Sequence, residues 1–179
     1  MKKTFLAVVA AGVVLASASA AQTPKTTFRF DFGPGPARAG YQQVLPTAAY
    51  FPTAGFGFDF GTTVTGVDRG GKDALKVDFV TSKQPFYFSV NLPEGNYNVT
   101  VTLGDARGPS STFLKAESRR LLLETTTTRA GQFLTQTFTV NVKSRRISDT
   151  ETVALKPREL HKLDLLGGKG VGVGIEAVA

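Results

Sequence analysis

Strict alternation between apolar and polar side chains dominates the middle of this 179-residue chain. The alternation runs from Phe86 to Val90 and returns from Tyr97 to Leu103. Successive side chains of a strand point to opposite faces, so this period with aromatic and β-branched residues is typical of half-buried strands. Between the two runs, Leu92 to Gly95 has proline and glycine where a type I turn places them. The pattern predicts a β-hairpin over residues 86–103.

The same period recurs in short runs along the rest of the chain. Further strands are predicted at Phe28–Phe32, Phe56–Phe60, Val64–Val67, Leu75–Val80, Phe113–Glu117, Leu121–Thr125, Gln132–Val142, Thr152–Lys156 and Val171–Ile175. Residues 37–54 are predicted as a long loop, and only Arg158 to Leu166 has a weak helical pattern. Many short strands separated by turn residues predict an all-β chain, folded as an antiparallel β-sandwich.

The N-terminus has the features of an export signal. Lys2 and Lys3 precede an apolar run from Phe5 to Ala16, and Ala18-Ser19-Ala20 matches a cleavage site. The apolar run is shorter than the roughly 20 residues that span a membrane. We therefore expect a signal peptide over residues 1–20, a polar leader over 21–27 and one domain over 28–179. The mature protein should be secreted or periplasmic and not held in a membrane.

Composition limits the chemistry open to the chain. It has no cysteine, which excludes disulfides and thiolate metal sites, and its fourteen phenylalanines can supply an apolar core. The formal net charge is +7 without long basic runs, so polyanions such as uronic-acid polysaccharides are more suitable partners than nucleic acid. No dense group of carboxylates occurs in the sequence, so we expect no cofactor, and nothing supports a structural calcium ion.

No set of residues in the sequence resembles a catalytic site. Gly104-Asp105-Ala106 resembles a serine-hydrolase motif but has alanine at the nucleophile position, so we interpret it as a turn. His161 is the one histidine, and no serine lies near it in sequence to form a nucleophile–base pair. Gly66 to Asp73 resembles a phosphate-binding loop but lacks the serine or threonine that holds magnesium. We expect no esterase activity from this chain alone.

Aromatic and arginine side chains outside the core pattern are the candidates for ligand binding. The C–H groups of a pyranose pack on flat rings, and arginine can bind a uronate carboxylate through two parallel hydrogen bonds. The predicted ligand-binding residues are Tyr41, Tyr50, Tyr87, Arg119 and Arg120. The alternative is structural: the tyrosines pack loops, and the arginines pair with nearby glutamates.

A series of short phrases occurs in order along the chain. They are Phe30–Gly35, Gly40–Val44, Gly55–Phe58, Asp78–Thr81, Leu92–Tyr97, Val101–Asp105, Ala116–Leu121, Val140–Val142 and Leu155–Glu159. Together they resemble the N-terminal module of bacterial rhamnogalacturonan acetylesterases, which are secreted pectin-degrading enzymes of the GDSL hydrolase class. The resemblance weakens near the C-terminus, where a tryptophan of the family pattern is missing.

The resemblance implies a galactose-binding-like β-jelly-roll that serves as a non-catalytic, carbohydrate-binding-like accessory module. In that family the module precedes a hydrolase domain, which we would expect to begin after Ala179. The implied partner is pectic polysaccharide, or a separate or missing hydrolase domain. Two other functions stay open: a structural module that docks on a hydrolase without binding sugar, and a basic envelope protein that binds polyanions.

Overall fold

The computed structural model describes residues 26–116, 120–143, 150–151, 171–172 and 175–177. Nearly all of its regular structure is β. The strands are β1 (Phe30–Phe32), β2 (Gln42–Val44), β3 (Phe56–Phe58), β4 (Thr65–Asp68), β5 (Asp78–Thr81), β6 (Phe86–Leu92), β7 (Gly95–Gly104), β8 (Ser110–Ala116), β9 (Arg120–Thr128), β10 (Phe133–Val142), β11 (Val171–Gly172) and β12 (Ile175–Ala177). One helical turn, α1 (Ala74–Val77), precedes β5.

The strands form two main layers. The larger sheet has the order β3–β6–β12–β8–β9, and β11 pairs with the end of β6. The second layer is the long antiparallel pair of β7 and β10. Two small sheets, β1–β2 and β4–β5, complete the described part of the chain. This arrangement confirms the predicted all-β sandwich.

The core between the layers is centred on Phe88, which is 2% exposed. Its ring centroid lies between 4.8 and 6.3 Å from the centroids of four other phenylalanine rings, in the range of favourable aromatic pairs. The four rings belong to Phe30, Phe32, Phe56 and Phe58. They come from β1 and β3, so aromatic packing joins strands that are remote in sequence.

Apolar side chains of the second layer close the core from the opposite side. Val101, Leu103 and Phe138 pack against the cluster around Phe88. Val140 and Val142 of β10 form a second buried cluster with Ala116 of β8. The inner faces of both layers are therefore apolar, and their outer faces are left for solvent or ligands.

The predicted hairpin over residues 86–103 is wrong, although both of its strands form. β6 pairs with β3, β11 and β12, whereas β7 pairs with β10. The Leu92–Gly95 segment crosses from one layer to the other, and the Tyr97 hydroxyl donates a hydrogen bond of 2.8 Å to the Pro93 carbonyl. Each strand has one apolar face, and placing the strands in opposite layers lets the two apolar faces bury each other.

Two predicted segments near the N-terminal half also differ. The loop predicted over residues 37–54 contains β2, which pairs with β1 in parallel and carries the fully buried Val44. The strand predicted over Leu75–Val80 begins instead with α1. The Asp73 carboxylate accepts a hydrogen bond from the Leu75 amide and caps this turn, so only the second half of the segment is extended.

Several predictions concern residues outside the described part of the chain. These are the signal peptide, most of the polar leader, the strand at Thr152–Lys156, the helix at Arg158–Leu166, and His161. Within the described ranges, no helix is long and apolar enough to cross a membrane.

An ion pair fixes β4 to the loop that follows β7. The Arg69 guanidinium donates two hydrogen bonds to the Asp105 carboxylate, at 3.1 Å from Nε and 2.7 Å from Nη2. The Arg107 amide donates to the same carboxylate, so Asp105 organises a turn as its sequence context predicted. The hydrogen bonds from Arg69 lower the pKa of the Asp105 carboxyl, and burial opposes them.

Phe88→Ala should lower the free energy of unfolding by about 3–5 kcal/mol, because it empties the centre of the aromatic core. Phe60→Ala is the matched control, since the Phe60 side chain is 91% exposed and its loss should change stability by no more than about 0.5 kcal/mol. Urea unfolding followed by far-ultraviolet circular dichroism would measure both. Equal effects would contradict the assignment of Phe88 to the centre of the core.

Asp105→Asn should destabilise the protein at neutral pH and less at about pH 3. The folded pKa of Asp105 lies below the unfolded value of about 3.9. Its stabilising effect is therefore fully present above that value and is lost as pH falls through the folded pKa. Urea unfolding at both pH values checks this. Asp73→Asn, which affects the more exposed pair with Lys76, should have the smaller effect at neutral pH. If the difference in unfolding free energy between wild type and Asp105→Asn were the same at both pH values, the ion-pair explanation would be refuted.

Candidate functional site

The outer face of the larger sheet carries a row of side chains across its strands. The backbone of β12 at Glu176 pairs with Tyr87 on one side and with Lys115 on the other, and Lys115 pairs with Leu121 of β9. Residues in register project to the same side of a sheet, and neighbouring strands are about 4.8 Å apart. Tyr87, Lys115 and Leu121 therefore share the face opposite to the core.

A shallow groove of about 490 Å³ lies on this face between β8 and β9. Its lining residues are Phe113, Lys115, Leu121, Glu124 and Thr125. The Lys115 ammonium lies 5.0 Å from the centroid of the half-buried Phe113 ring, within cation–π distance. The groove therefore combines an apolar floor with groups of both charges and a hydroxyl.

A loop folds against the other end of the same sheet. The Tyr50 amide donates to the Phe58 carbonyl and the Phe58 amide donates to the Ala48 carbonyl, which makes a short parallel bridge. Gly57 permits this approach: it has a φ of +152°, and a Cβ there would lie 2.5 Å from the Ala49 carbonyl carbon. Only glycine fits, so the sequence at this position sets where Tyr50 lies.

Asp59 interacts with both Tyr50 and Tyr87. The Asp59 amide donates to the Tyr87 carbonyl at 3.0 Å, and the Ser89 hydroxyl donates to Asp59 Oδ1 at 2.5 Å. Burial raises the pKa of the Tyr50 phenol, and the negative charge of Asp59 raises it further. The Asp59 carboxylate is thus held by the buried Ser89, and its charge acts on the Tyr50 phenol.

Two exposed phenylalanines extend from the same region. Phe51 is 59% exposed and Phe60 is 91% exposed. The parallel bridge at Ala49 and Phe58 carries both chain segments in the same direction, so Phe51 and Phe60 leave the bridge at the same end. The two rings offer exposed apolar surface at that end of the bridge.

This arrangement offers groups that suit ligand binding. Flat rings accept the apolar faces of a ligand, and the Asp59 carboxylate and groove residues offer hydrogen bonds at the edges. Among the described residues, no group of three or more histidine, cysteine or acidic side chains is placed to hold a metal ion.

The structure brings together two of the five predicted site residues, Tyr50 and Tyr87. Tyr41 lies before β2, where its amide bonds to the Arg38 carbonyl, on the segment that pairs with β1. Arg120 is exposed at the start of β9, but it pairs with the buried Ala116 and so projects to the opposite side from Leu121. Arg119 lies outside the described residues.

Phe60, Phe113 and Asp59 were missed by the reasoning from sequence. Phe60 continues the alternation of Phe56 and Phe58 and so reads as a core residue. The strand ends before it, because the Thr62 amide turns back to the Asp59 carbonyl. Gly61 with a φ of +81° is the signal that could have indicated this turn.

A family model described as "Beta-agarase/YXIM esterase-like, galactose-binding domain-like" matches residues 28–148, which include every strand from β1 to β10. The chain belongs to this family. The expected resemblance to a galactose-binding-like module of esterases is thereby confirmed, as is the galactose-binding-like fold. The residues around Tyr50 and Asp59 and most of the outer face of the larger sheet lie inside the matched residues.

Two curated relatives contain a similar segment within much longer chains. Beta-agarase A of Zobellia galactanivorans is 29% identical over 127 residues, which cover 68% of this chain and 23% of the agarase. The uncharacterized esterase YxiM of Bacillus subtilis is 35% identical over 89 residues, which cover 48% of this chain and 23% of the esterase. The aligned part of this chain thus spans less than a quarter of the length of either relative.

A solved structure has the same fold. The crystal structure of the YxiM protein of Bacillus subtilis aligns with 84% of this chain and 39% of its own, with a TM-score of 0.52 and 24% sequence identity. At this level of identity the likeness describes the architecture of the family domain.

Asp59→Asn should lower the pKa of the Tyr50 phenol part of the way to its ordinary value. The charge of Asp59 is the smaller of the two causes that raise the pKa, and burial remains after the substitution. Absorbance titration of the phenols at alkaline pH measures the change, with Tyr50→Phe in each background to isolate this residue. Asp73→Asn, on α1, should leave the titration unchanged. An identical Tyr50 titration in Asp59→Asn would refute the proximity of the two groups.

Proposed function

We propose that this protein is a non-catalytic carbohydrate-binding module that acts with a secreted polysaccharide-degrading hydrolase. The observation that carries the proposal is the group of Tyr50, Tyr87 and Asp59 with the exposed Phe51 and Phe60, which we call the aromatic surface. Membership of a galactose-binding-like domain family supports it, as do relatives named as an agarase and an esterase. The export signal predicted from the N-terminal sequence supports secretion.

The chemistry of the outer face suits a sugar polymer. The Tyr87 ring on β6 and the Phe113 ring at the groove give separate stacking positions on one face, as a chain of several sugar rings requires. The Asp59 carboxylate accepts hydrogen bonds from hydroxyl groups, and Lys115 adds a positive charge beside Phe113. The buried Ser89 holds Asp59 in place, so little side-chain freedom is lost on binding.

The proposed ligand is pectic polysaccharide, and the proposed enzyme is a rhamnogalacturonan acetylesterase-like hydrolase. The ordered phrases shared with that family support this assignment. The chain has a formal net charge of +7, and this positive charge favours a uronate-containing polymer over a neutral one as the ligand. In this proposal the module holds substrate near a hydrolase domain and takes no part in cleavage.

Native gels that contain dissolved rhamnogalacturonan test the proposal. The positively charged protein should migrate to the cathode and be retarded by the polymer. Tyr50→Ala combined with Tyr87→Ala should weaken retardation about tenfold, because each lost stacking ring contributes roughly 0.5–1.5 kcal/mol. Tyr41→Ala is the matched control, since Tyr41 lies on a different segment and should bind as the wild type does.

Two results would overturn the proposal. Unretarded migration of the wild type at low salt would favour a structural module that docks on a hydrolase domain without binding sugar. Equal retardation by every polyanion, with a steep loss in salt, would favour nonspecific binding through the basic residues.

A further inference from the structure

The outer face of the second layer carries a regular array of uncharged polar side chains. Four residues of β7 and four of β10 project from it in directly opposed pairs. The pairs are Asn96 with Asn141, Asn98 with Thr139, Thr100 with Thr137, and Thr102 with Thr135. We refer to these eight residues as the polar ladder.

Each pair in the polar ladder is joined by a hydrogen bond between side chains. Thr100 and Thr137 hydroxyls are 2.8 Å apart, and those of Thr102 and Thr135 are 3.1 Å apart. The remaining pairs donate to an asparagine oxygen, at 3.0 Å from the Thr139 hydroxyl and 2.6 Å from Asn141 Nδ2. The side chains are therefore held in fixed positions before any ligand arrives.

The polar ladder contains no charged residue, although charged residues make up 20% of the chain. Seven of its eight residues are exposed, and Asn141 is half-buried. Exposed sheet faces usually carry lysine and glutamate, which keep them solvated. A face without charge can lose its water at lower cost, because no ion is desolvated.

We propose that the polar ladder binds a linear neutral polysaccharide that lies along the two strands. The ladder extends about 20 Å from Asn96 to Thr102, with a repeat of roughly 6.8 Å along each strand. Such a flat, periodic surface fits an extended polymer better than a compact small molecule. The basic residues that would attract a polyanion are absent from it, so the ligand is neutral.

Hydrogen bonding remains available to the ligand. In a pair of threonines one hydroxyl donates to the other, so the second keeps its proton for another acceptor, and each oxygen keeps a lone pair. Sugar hydroxyls both donate and accept and can therefore bond to both threonine pairs of the ladder. Because the protein side chains are already ordered, binding loses little of their rotamer freedom.

The inference rests on the proposed function for its class of ligand, but on a different surface. The residues beneath the ladder, such as Val101 and Phe138, pack on the core from the side opposite to β6. The ladder and the aromatic surface therefore face away from each other. Pectic polysaccharides contain both uronate-bearing backbones and neutral side chains, so one polymer could supply a ligand for each face.

Native gels with linear pectic galactan, a neutral polymer, test the proposal beside gels with rhamnogalacturonan freed of galactan. The variant Thr100→Val with Thr137→Val removes two hydroxyls and keeps the β-branched shape that strands favour. It should bind galactan about 30-fold more weakly, since it loses two hydrogen bonds to the ligand at about 1 kcal/mol each, and should bind the backbone polymer normally. Thr65→Val with Thr127→Val is the matched control on exposed strand positions elsewhere.

Each outcome decides between the two proposals. Galactan binding that is unchanged in the ladder variant overturns the polar ladder as a site and leaves the proposed function standing. If the wild-type protein binds the backbone polymer but not galactan, the polar ladder is likewise overturned and the proposed function stands. Binding of galactan alone, lost in the ladder variant, supports the ladder and overturns the assignment of uronate-containing ligand to the aromatic face. Equal loss in the threonine control attributes the effect to added apolar surface and also overturns the ladder.

Discussion

The packing of phenylalanine rings around Phe88 is the interaction on which the rest of the structure depends. Without disulfides, apolar burial must supply most of the stability, and large aromatic side chains bury the most area per residue. The rings come from β1, β3 and β6, which therefore have to converge. Once β6 turns its phenylalanines inward, its polar residues must face outward. The position of Tyr87 on the outer face follows from the burial of its neighbours.

The alternation of side chains predicted the strands well and their partners poorly. Alternation with a two-residue period indicates which face of a strand is buried, but it does not indicate which strand lies beside it. For that reason β6 and β7 were recognised as strands, while the turn between them was misread as a hairpin instead of a crossing between layers. The strand β2 was missed because a three-residue strand with one buried side chain, Val44, has no detectable period.

The candidate site could be predicted only in part for a related reason. Tyr50 and Tyr87 were selected by residue type, and the structure places both beside Asp59. The Asp59–Ser89 hydrogen bond joins residues 30 positions apart, so no local sequence pattern predicts it. Phe113 alternates like a core residue, yet it lies on the outer face because Leu114 is the residue that β8 buries. Arg120 lies on the other side of its strand because it is in register with the buried Ala116, whereas Leu121 is in register with Lys115.

The position of β12 has a consequence for the integrity of the larger sheet. This strand has only three residues, Ile175–Ala177, yet it lies inside the sheet and pairs with β6 on one side and β8 on the other. If β12 detached, the sheet would be divided, with unsatisfied backbone groups on both sides of the gap, and such edges invite pairing with other molecules. The seating of this one short strand therefore protects two sheet edges from aggregation at once.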